Sequence, residues 1–141
     1  VHKNRFTLDL RVPGRTEYLS LVGSIAECVA QRLDHYRGDR EALAFHLNVV
    51  VTEAVGNAIR HGLSEHQQSR VRLCIEVRGD ELIIEVHDRG QGFDLCSLSE
   101  ACPDDLDEGG RGLFLMRSLM DSVSYRRTRA GNVLEMRKRL R

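Results

Sequence analysis

The chain has 141 residues, 41% hydrophobic and 30% charged, a composition that suits one domain able to bury a core without staples. Its 21 basic and 21 acidic residues cancel, which excludes the domain-wide basic excess that grips nucleic acid. No apolar run approaches the roughly 18 residues that cross a bilayer and no signal-peptide pattern opens the chain, so a cytoplasmic protein without membrane contact is expected. The first residue is Val1 rather than Met. Residues 1–141 are accordingly expected to be a single domain excised from a longer protein.

Residues 5–12 alternate, with Phe6, Leu8 and Leu10 on one side, and predict an opening strand that Pro13-Gly14 ends. From Thr16 to about Tyr36, Leu19, Val22, Ile25, Val29 and Leu33 recur at three- and four-residue steps, the pattern of an amphipathic helix. Gly38-Asp39 breaks it. Asp39 is the expected N-cap of a second helix running to about His61, closed by Gly62. A polar connection, Ser64 to Ser69, leads to Val71, Leu73, Ile75 and Val77, which alternate with charged residues. Gly79-Asp80 then turns the chain into Leu82 to Val86, giving a hairpin.

Residues 89–110 show no periodicity and contain Gly90, Gly92, Pro103, Gly109 and Gly110 among several acids. A stretch of about twenty such residues inside a small domain is expected to be a functional lid. Leu113, Met116, Leu119 and Met120 then mark a third helix to about Asp121. Val123 to Thr128 and Val133 to Arg139 form a closing hairpin around Ala130-Gly131-Asn132. This order predicts an α+β fold, a two-layer sandwich. Its sheet would be mixed but mostly antiparallel, with about five strands and three helices on one face.

The basic end, Arg137-Lys138-Arg139-Leu140-Arg141, reads as a solvated strand end or tail. Cys28, Cys74, Cys96 and Cys102 lack Cys-x-x-Cys spacing, and the six histidines form no HExxH pair. A zinc site is therefore not expected, and Cys28 and Cys74 are expected to pack as small hydrophobes.

Three segments carry groups suited to chemistry. On the second helix Leu43, Leu47, Val50, Ala54 and Ala58 form a core stripe, and Glu53 and Asn57 lie four apart along its edge. A carboxylate and a carboxamide so placed can serve as a base toward a hydroxyl and as an oxygen ligand to Mg²⁺, which takes few protein oxygens. After the strand ending at His87, Asp88-Arg89-Gly90-Gln91-Gly92 aims a carboxylate where the backbone can approach a flat ligand. Glu108-Gly109-Gly110-Arg111-Gly112 opens a helix, where backbone N–H groups and the helix dipole favour phosphate. Singly, each also suits an ordinary turn, a solvent-facing Glu or a flexible helix start.

Together, Glu-x-x-x-Asn on a helix, Asp-x-Gly-x-Gly after a strand and a glycine-rich helix start after a lid resemble the three boxes of the GHKL ATPase superfamily, the Bergerat fold. EAVGNAIRHG, VHDRGQGFD and GGRGLFLMRSLMDSVSY look most like the bacterial anti-sigma factor serine kinases of the RsbW and SpoIIAB type. The resemblance implies ATP and Mg²⁺ as ligands. Asp88 would accept a hydrogen bond from the adenine amino group, Gly90 and Gly92 would let the base lie against backbone, and Asn57 would hold Mg²⁺. Glu53 would be the general base, while Gly110, Arg111 and Gly112 would wrap the phosphates.

The reaction implied is transfer of the γ-phosphoryl group to a serine of a small STAS anti-anti-sigma protein, in a partner switch that also sequesters a sigma factor and so controls transcription. The first strand and helix would be a homodimer surface. Two positions depart from the family pattern: Arg111 stands where many relatives carry an apolar residue. Asn132 stands where relatives often have a Thr supporting the adenine contact, and is expected to alter adenine recognition. The competing reading is a non-catalytic module whose nucleotide only shapes a surface for a sigma factor or STAS partner. A sensor histidine kinase half is disfavoured because no dimerisation helix pair precedes Arg5.

Overall fold

Alternation of apolar and polar residues in five segments builds the sheet. In the computed structural model, which describes residues 5–34, 36–62, 70–89, 108–129 and 131–141, β1 (Arg5–Pro13), β2 (Arg70–Arg78), β3 (Glu81–Asp88), β4 (Ser122–Thr128) and β5 (Gly131–Arg139) form one sheet. The strand order is β1-β2-β3-β5-β4. Every pairing is antiparallel, in keeping with the mostly antiparallel five-stranded sheet expected. Register aligns the apolar residues in rows across all five strands: Leu8, Ile75, Ile84, Met136 and Val123 in one, Leu10, Leu73, Val86, Leu134 and Tyr125 in the next. One face of the sheet is thereby apolar from edge to edge.

That face is covered by α1 (Leu19–Gln31), α2 (Arg40–Gly62) and α3 (Glu108–Leu119). The helices and the inward rows of the strands share a single core, giving the two layers that the order of elements predicts. The central element is α2: Leu47, Val50, Val51 and Val55 are completely buried. At about 1.5–3 kcal/mol for each large apolar side chain removed from water, this helix anchors the domain. By length and composition Arg40–Arg60 is also apolar enough to cross a bilayer, which its scattered polar residues hide in the sequence, but 56% of that stretch is buried inside the domain. Asp39 caps it as expected, its Oδ1 accepting from the backbone N–H groups of Glu41 (2.9 Å) and Ala42 (3.3 Å).

Three local expectations change. The first helix is shorter than its periodicity suggests: a 3-10 turn at Thr16–Tyr18 precedes α1, and the helix stops at Gln31. Leu33 still packs in the core, but Arg37 donates its N–H to the Leu140 carbonyl (3.3 Å), so that segment bonds to the C-terminal chain. Asp34, whose charge opposes the negative end of a helix dipole, disfavours continuation. Cys28 is exposed and Cys74 half-buried, so neither is a core residue. Asn132, read as a turn residue, lies within β5.

At the first hairpin Gly79 has φ +62 and no non-glycine residue among those described has positive φ, as a two-residue turn with glycine at its first central position requires. Two charges of the basic C-terminal end are paired: Arg137, in β5, bonds Glu81 (2.9 Å) and Glu135 (2.8 Å), and Arg141, beyond the strand, meets Asp80. The Arg137 pairs belong to the open face of the sheet, where Arg72 also grips Asp9 at 2.8 Å. The Arg72 guanidinium holds the Asp9 carboxyl below the usual carboxylate range, and Arg137 does the same for Glu135.

Asp39→Ala should lower stability by about 1 kcal/mol, the usual worth of an N-cap, read as a lower urea midpoint at unchanged slope. An unchanged midpoint would show that the cap contributes nothing.

Candidate functional site

The helical repeat of α2 fixes the first half of the site. With Leu47, Val50, Ala54 and Ala58 committed to the core, positions 53 and 57 project together from one side of the helix. Asn57 is 1% exposed despite its polar side chain, and Glu53 beside it is half-buried. Burying an amide demands partners. Arg60, one turn on, donates from Nη2 to Asn57 Oδ1.

Against this pair lies the start of α3. A Cβ added to Gly112 would stand 2.5 Å from Glu53 Oε2 and 3.4 Å from Asn57 Nδ2. A residue without a side chain lets α3 approach this closely while the Glu53 carboxylate keeps its place. Glycine inside a helix costs about 1 kcal/mol relative to Ala, so its place here reflects the packing rather than helix propensity. Leu113 and Met116, both buried, tie α3 to the core immediately after it. Gly110 and Arg111 fall in the first turn, since the helix begins at Glu108. Helix geometry leaves the N–H groups of residues 108–111 without partners within the helix, at the positive end of its dipole.

The second half of the site is at the end of β3. Asp88 continues the inward parity of Ile84 and Val86, so its carboxylate is on the helix-covered side and only 8% exposed. Sheet register places Asn132 directly opposite. The Asn132 amide donates from Nδ2 to Asp88 Oδ1 at 2.9 Å, with Asn132 itself 3% exposed. Gly131, just before it, has φ +134, and a Cβ there would collide with the Asp88 carbonyl oxygen. The β4–β5 turn thus closes directly onto the backbone of Asp88.

The expected site residues therefore fall into two clusters. Glu53, Asn57 and Gly112 meet at the α2–α3 contact, while Asp88 and Asn132 meet at the β3–β5 register. Packing of α2 over β3 sets both on the same side of the sheet. Gly90 and Gly92 lie outside the described residues. The sequence reading passed over two participants. Arg60 is recognisable by its i, i+3 spacing from Asn57. Gly131 carried only a turn signal, because nothing local shows that β5 will pair with β3. As a whole the arrangement offers a half-buried carboxylate, an amide oxygen, a helix N-terminus and a second, deeply set carboxylate, a combination able to hold a polyphosphate and a base.

Fold and site define a class of protein. Residues 12–138 match the family described as the histidine kinase-like ATPase domain, and the chain belongs to that family. Among its members the chain is similar to the serine-protein kinase RsbW of Staphylococcus epidermidis, with 33% identity over 126 residues, covering 83% of this chain and 77% of the relative. It is likewise similar to the serine-protein kinase RsbW of Bacillus subtilis (strain 168), 32% identical over 124 residues with 82% and 75% covered. The fold is shared with the histidine kinase domain of the Erythrobacter litoralis EL346 blue-light activated histidine kinase. That structure has a TM-score of 0.57 at 19% identity, covering 92% of this chain and 62% of that one. The Acinetobacter baumannii histidine kinase AdeS also shares it, with a TM-score of 0.52 at 16% identity, covering 99% and 69%.

Gly131→Ala should cost at least about 2 kcal/mol, because it combines a strained φ with a collision against backbone that cannot step aside. Urea unfolding measures it. A loss below about 0.5 kcal/mol would mean that the turn does not hold Asp88 in this way.

Proposed function

We propose that this chain is an ATP-binding anti-sigma factor and protein serine kinase, which transfers the γ-phosphoryl group of ATP to a serine of a STAS anti-anti-sigma protein in a partner switch controlling transcription. The observation that carries this reading is the meeting of Glu53, Asn57 and Gly112, which sets a carboxylate and an amide beside a helix start suited to phosphate. Similarity to serine-protein kinases supports the choice of acceptor.

Glu53 takes the proton from the attacking serine hydroxyl as general base. Asn57 offers Oδ1 to Mg²⁺, and the donors present suit that ion in kind, being hard oxygens and few. Such an ion, when bound, would supply neutralisation of phosphate charge. Arg60 bonds Asn57 Oδ1, and its exposed side chain would have to turn outward to leave that oxygen to the ion. Backbone N–H groups at the start of α3, with Gly110, Arg111 and Gly112, hold the phosphates.

Asp88 accepts from the adenine amino group, with Asn132 fixing the orientation of its carboxylate through the 2.9 Å bond. Gly90 and Gly92 let the base approach the backbone.

A homodimer is part of the proposal. A cavity of about 800 Å³ between β1, α1 and the C-terminal end is lined by Phe6, Leu8, Ile25, Val29, Leu33 and Leu140. It lies beside the edge strand of the sheet, and Phe6 is 44% exposed. An apolar groove at an unpaired edge is suited to a second copy. The proposed compartment is the cytoplasm, with no direct contact to nucleic acid or membrane. Balanced charge and the burial of α2 within the domain favour this.

One observation favours a non-catalytic module instead: the Arg60 guanidinium on Asn57 Oδ1 competes for the oxygen that a metal would need. Calorimetry with Mg-ATP, joined to a labelled-phosphate assay with a STAS anti-anti-sigma protein as acceptor, separates the two. Glu53→Ala should leave ATP affinity within about threefold while transfer falls at least about a hundredfold, the usual worth of a general base. Unchanged transfer would remove Glu53 from that role. Asp88→Asn should weaken ATP binding about tenfold or more with an unchanged circular dichroism spectrum. ATP binding without transfer to any partner would favour the second reading.

A further inference from the structure

The face of the sheet turned away from the helices carries a donor set that the kinase reading does not use. Antiparallel pairing sets Cys74 of β2 directly opposite Glu85 of β3, and His87 follows two residues further along the same face. The Cys74 sulfur, a Glu85 carboxylate oxygen and a His87 ring nitrogen all lie within 4.8 Å of one another, and all three residues are half-buried. His87 Nε2 and Glu85 Oε1 are already 3.0 Å apart. On the next strand Asp9 stands opposite Cys74, held by Arg72 through Nε (3.0 and 3.2 Å) and Nη2 (2.8 Å). Arg72 itself stands opposite His87, and its charge acts on Cys74 and Glu85 as well as on Asp9.

We propose that Cys74, Glu85 and His87 form a binding site for a zinc-class divalent ion, with water as the fourth ligand. The chemistry of the donors selects the metal. Thiolate, imidazole and carboxylate together suit Zn²⁺, whereas Mg²⁺ and Ca²⁺ require oxygen alone. Ligand bonds of about 2.0–2.3 Å around a tetrahedral ion place donor atoms roughly 3.3–3.8 Å apart. The trio needs to contract by about an ångström from its widest separation, within reach of side-chain rotation on neighbouring strands. On binding, the thiol gives its proton to solvent and the ion replaces the His87–Glu85 contact. No oxidation or reduction occurs.

Arg126, 3.7 Å from Glu85 Oε2 and half-exposed, retains its second partner Glu135. A metal here would tie β2 to β3 on the opposite side of the sheet from Asp88, which follows His87 in sequence. The proposal does not depend on the nucleotide reading.

No spacing in the sequence announces such a site. Residues 74, 85 and 87 match no zinc motif, and only the register of β2 against β3 brings them together.

The test uses the full, reduced chain without nucleotide. Zn²⁺ is titrated against a chromophoric chelator, and Co²⁺ is used as a spectroscopic substitute. One Zn²⁺ per chain is expected, with affinity falling at least tenfold in both Cys74→Ser and His87→Gln and unchanged in Cys28→Ser. The Co²⁺ form should show a thiolate-to-cobalt charge-transfer band that Cys74→Ser abolishes. Far-UV circular dichroism checks that each variant is folded, and His87→Gln decides the matter if the cysteine variant is not. Absence of 1:1 binding, or binding that survives both His87→Gln and Cys74→Ser, would overturn the proposal.

Discussion

The contact between Gly112 and the Glu53–Asn57 pair governs how the two layers of this domain become a site. α2 is committed by its apolar stripe to the middle of the core, so the backbone that carries Glu53 and Asn57 is fixed with Leu47, Val50 and Ala54. α3 must therefore come to them. It does so through a residue with no side chain, and the buried Leu113 and Met116 hold it there. Any larger residue at position 112 would have to push aside the Glu53 carboxylate, 2.5 Å from where its Cβ would stand. The glycine that weakens α3 as a helix is what lets its N-terminal amides sit beside the pair.

A second close approach repeats the principle on the sheet. Asp88 is held between its Asn132 partner and a Gly131 backbone that leaves no room for a Cβ. A deeply set carboxylate needs hydrogen bonds to be tolerated, and the Asn132 amide provides one from the neighbouring strand. Both clusters are thus built from a polar side chain on a rigid element and a glycine supplied by another. Rigid support of this kind suits a site that must hold its groups in place before a ligand arrives. The open face of the sheet is organised differently, by charge pairs between half-exposed side chains, which are individually weak.

Much of this was legible in the sequence because it is periodic. Alternation identified all five strands, the three- and four-residue steps identified the helices, and Asp39 marked where α2 begins. Glu53 and Asn57 could be paired because helical spacing is local information. What the sequence hid depends on contacts between distant segments. The pairing of Asp88 with Asn132 spans 44 residues and follows only from the register of β3 against β5. Gly131 consequently looked like a turn residue, and Cys74 like a core one. The end of α1 was misplaced because Arg37 finds its partner at Leu140, which no local pattern reveals.

The joining of Glu53 and Gly112 into one unit is open to a direct measurement, a double-mutant cycle in urea unfolding. Gly112→Ala and Glu53→Ala are compared singly and together. If the glycine exists to admit the carboxylate, the cost of Gly112→Ala should largely vanish once Glu53 is truncated, leaving a coupling of at least about 1 kcal/mol. Losses that add to within about 0.5 kcal/mol would contradict the close approach, and with it the assembly of α2 and α3 into a single site.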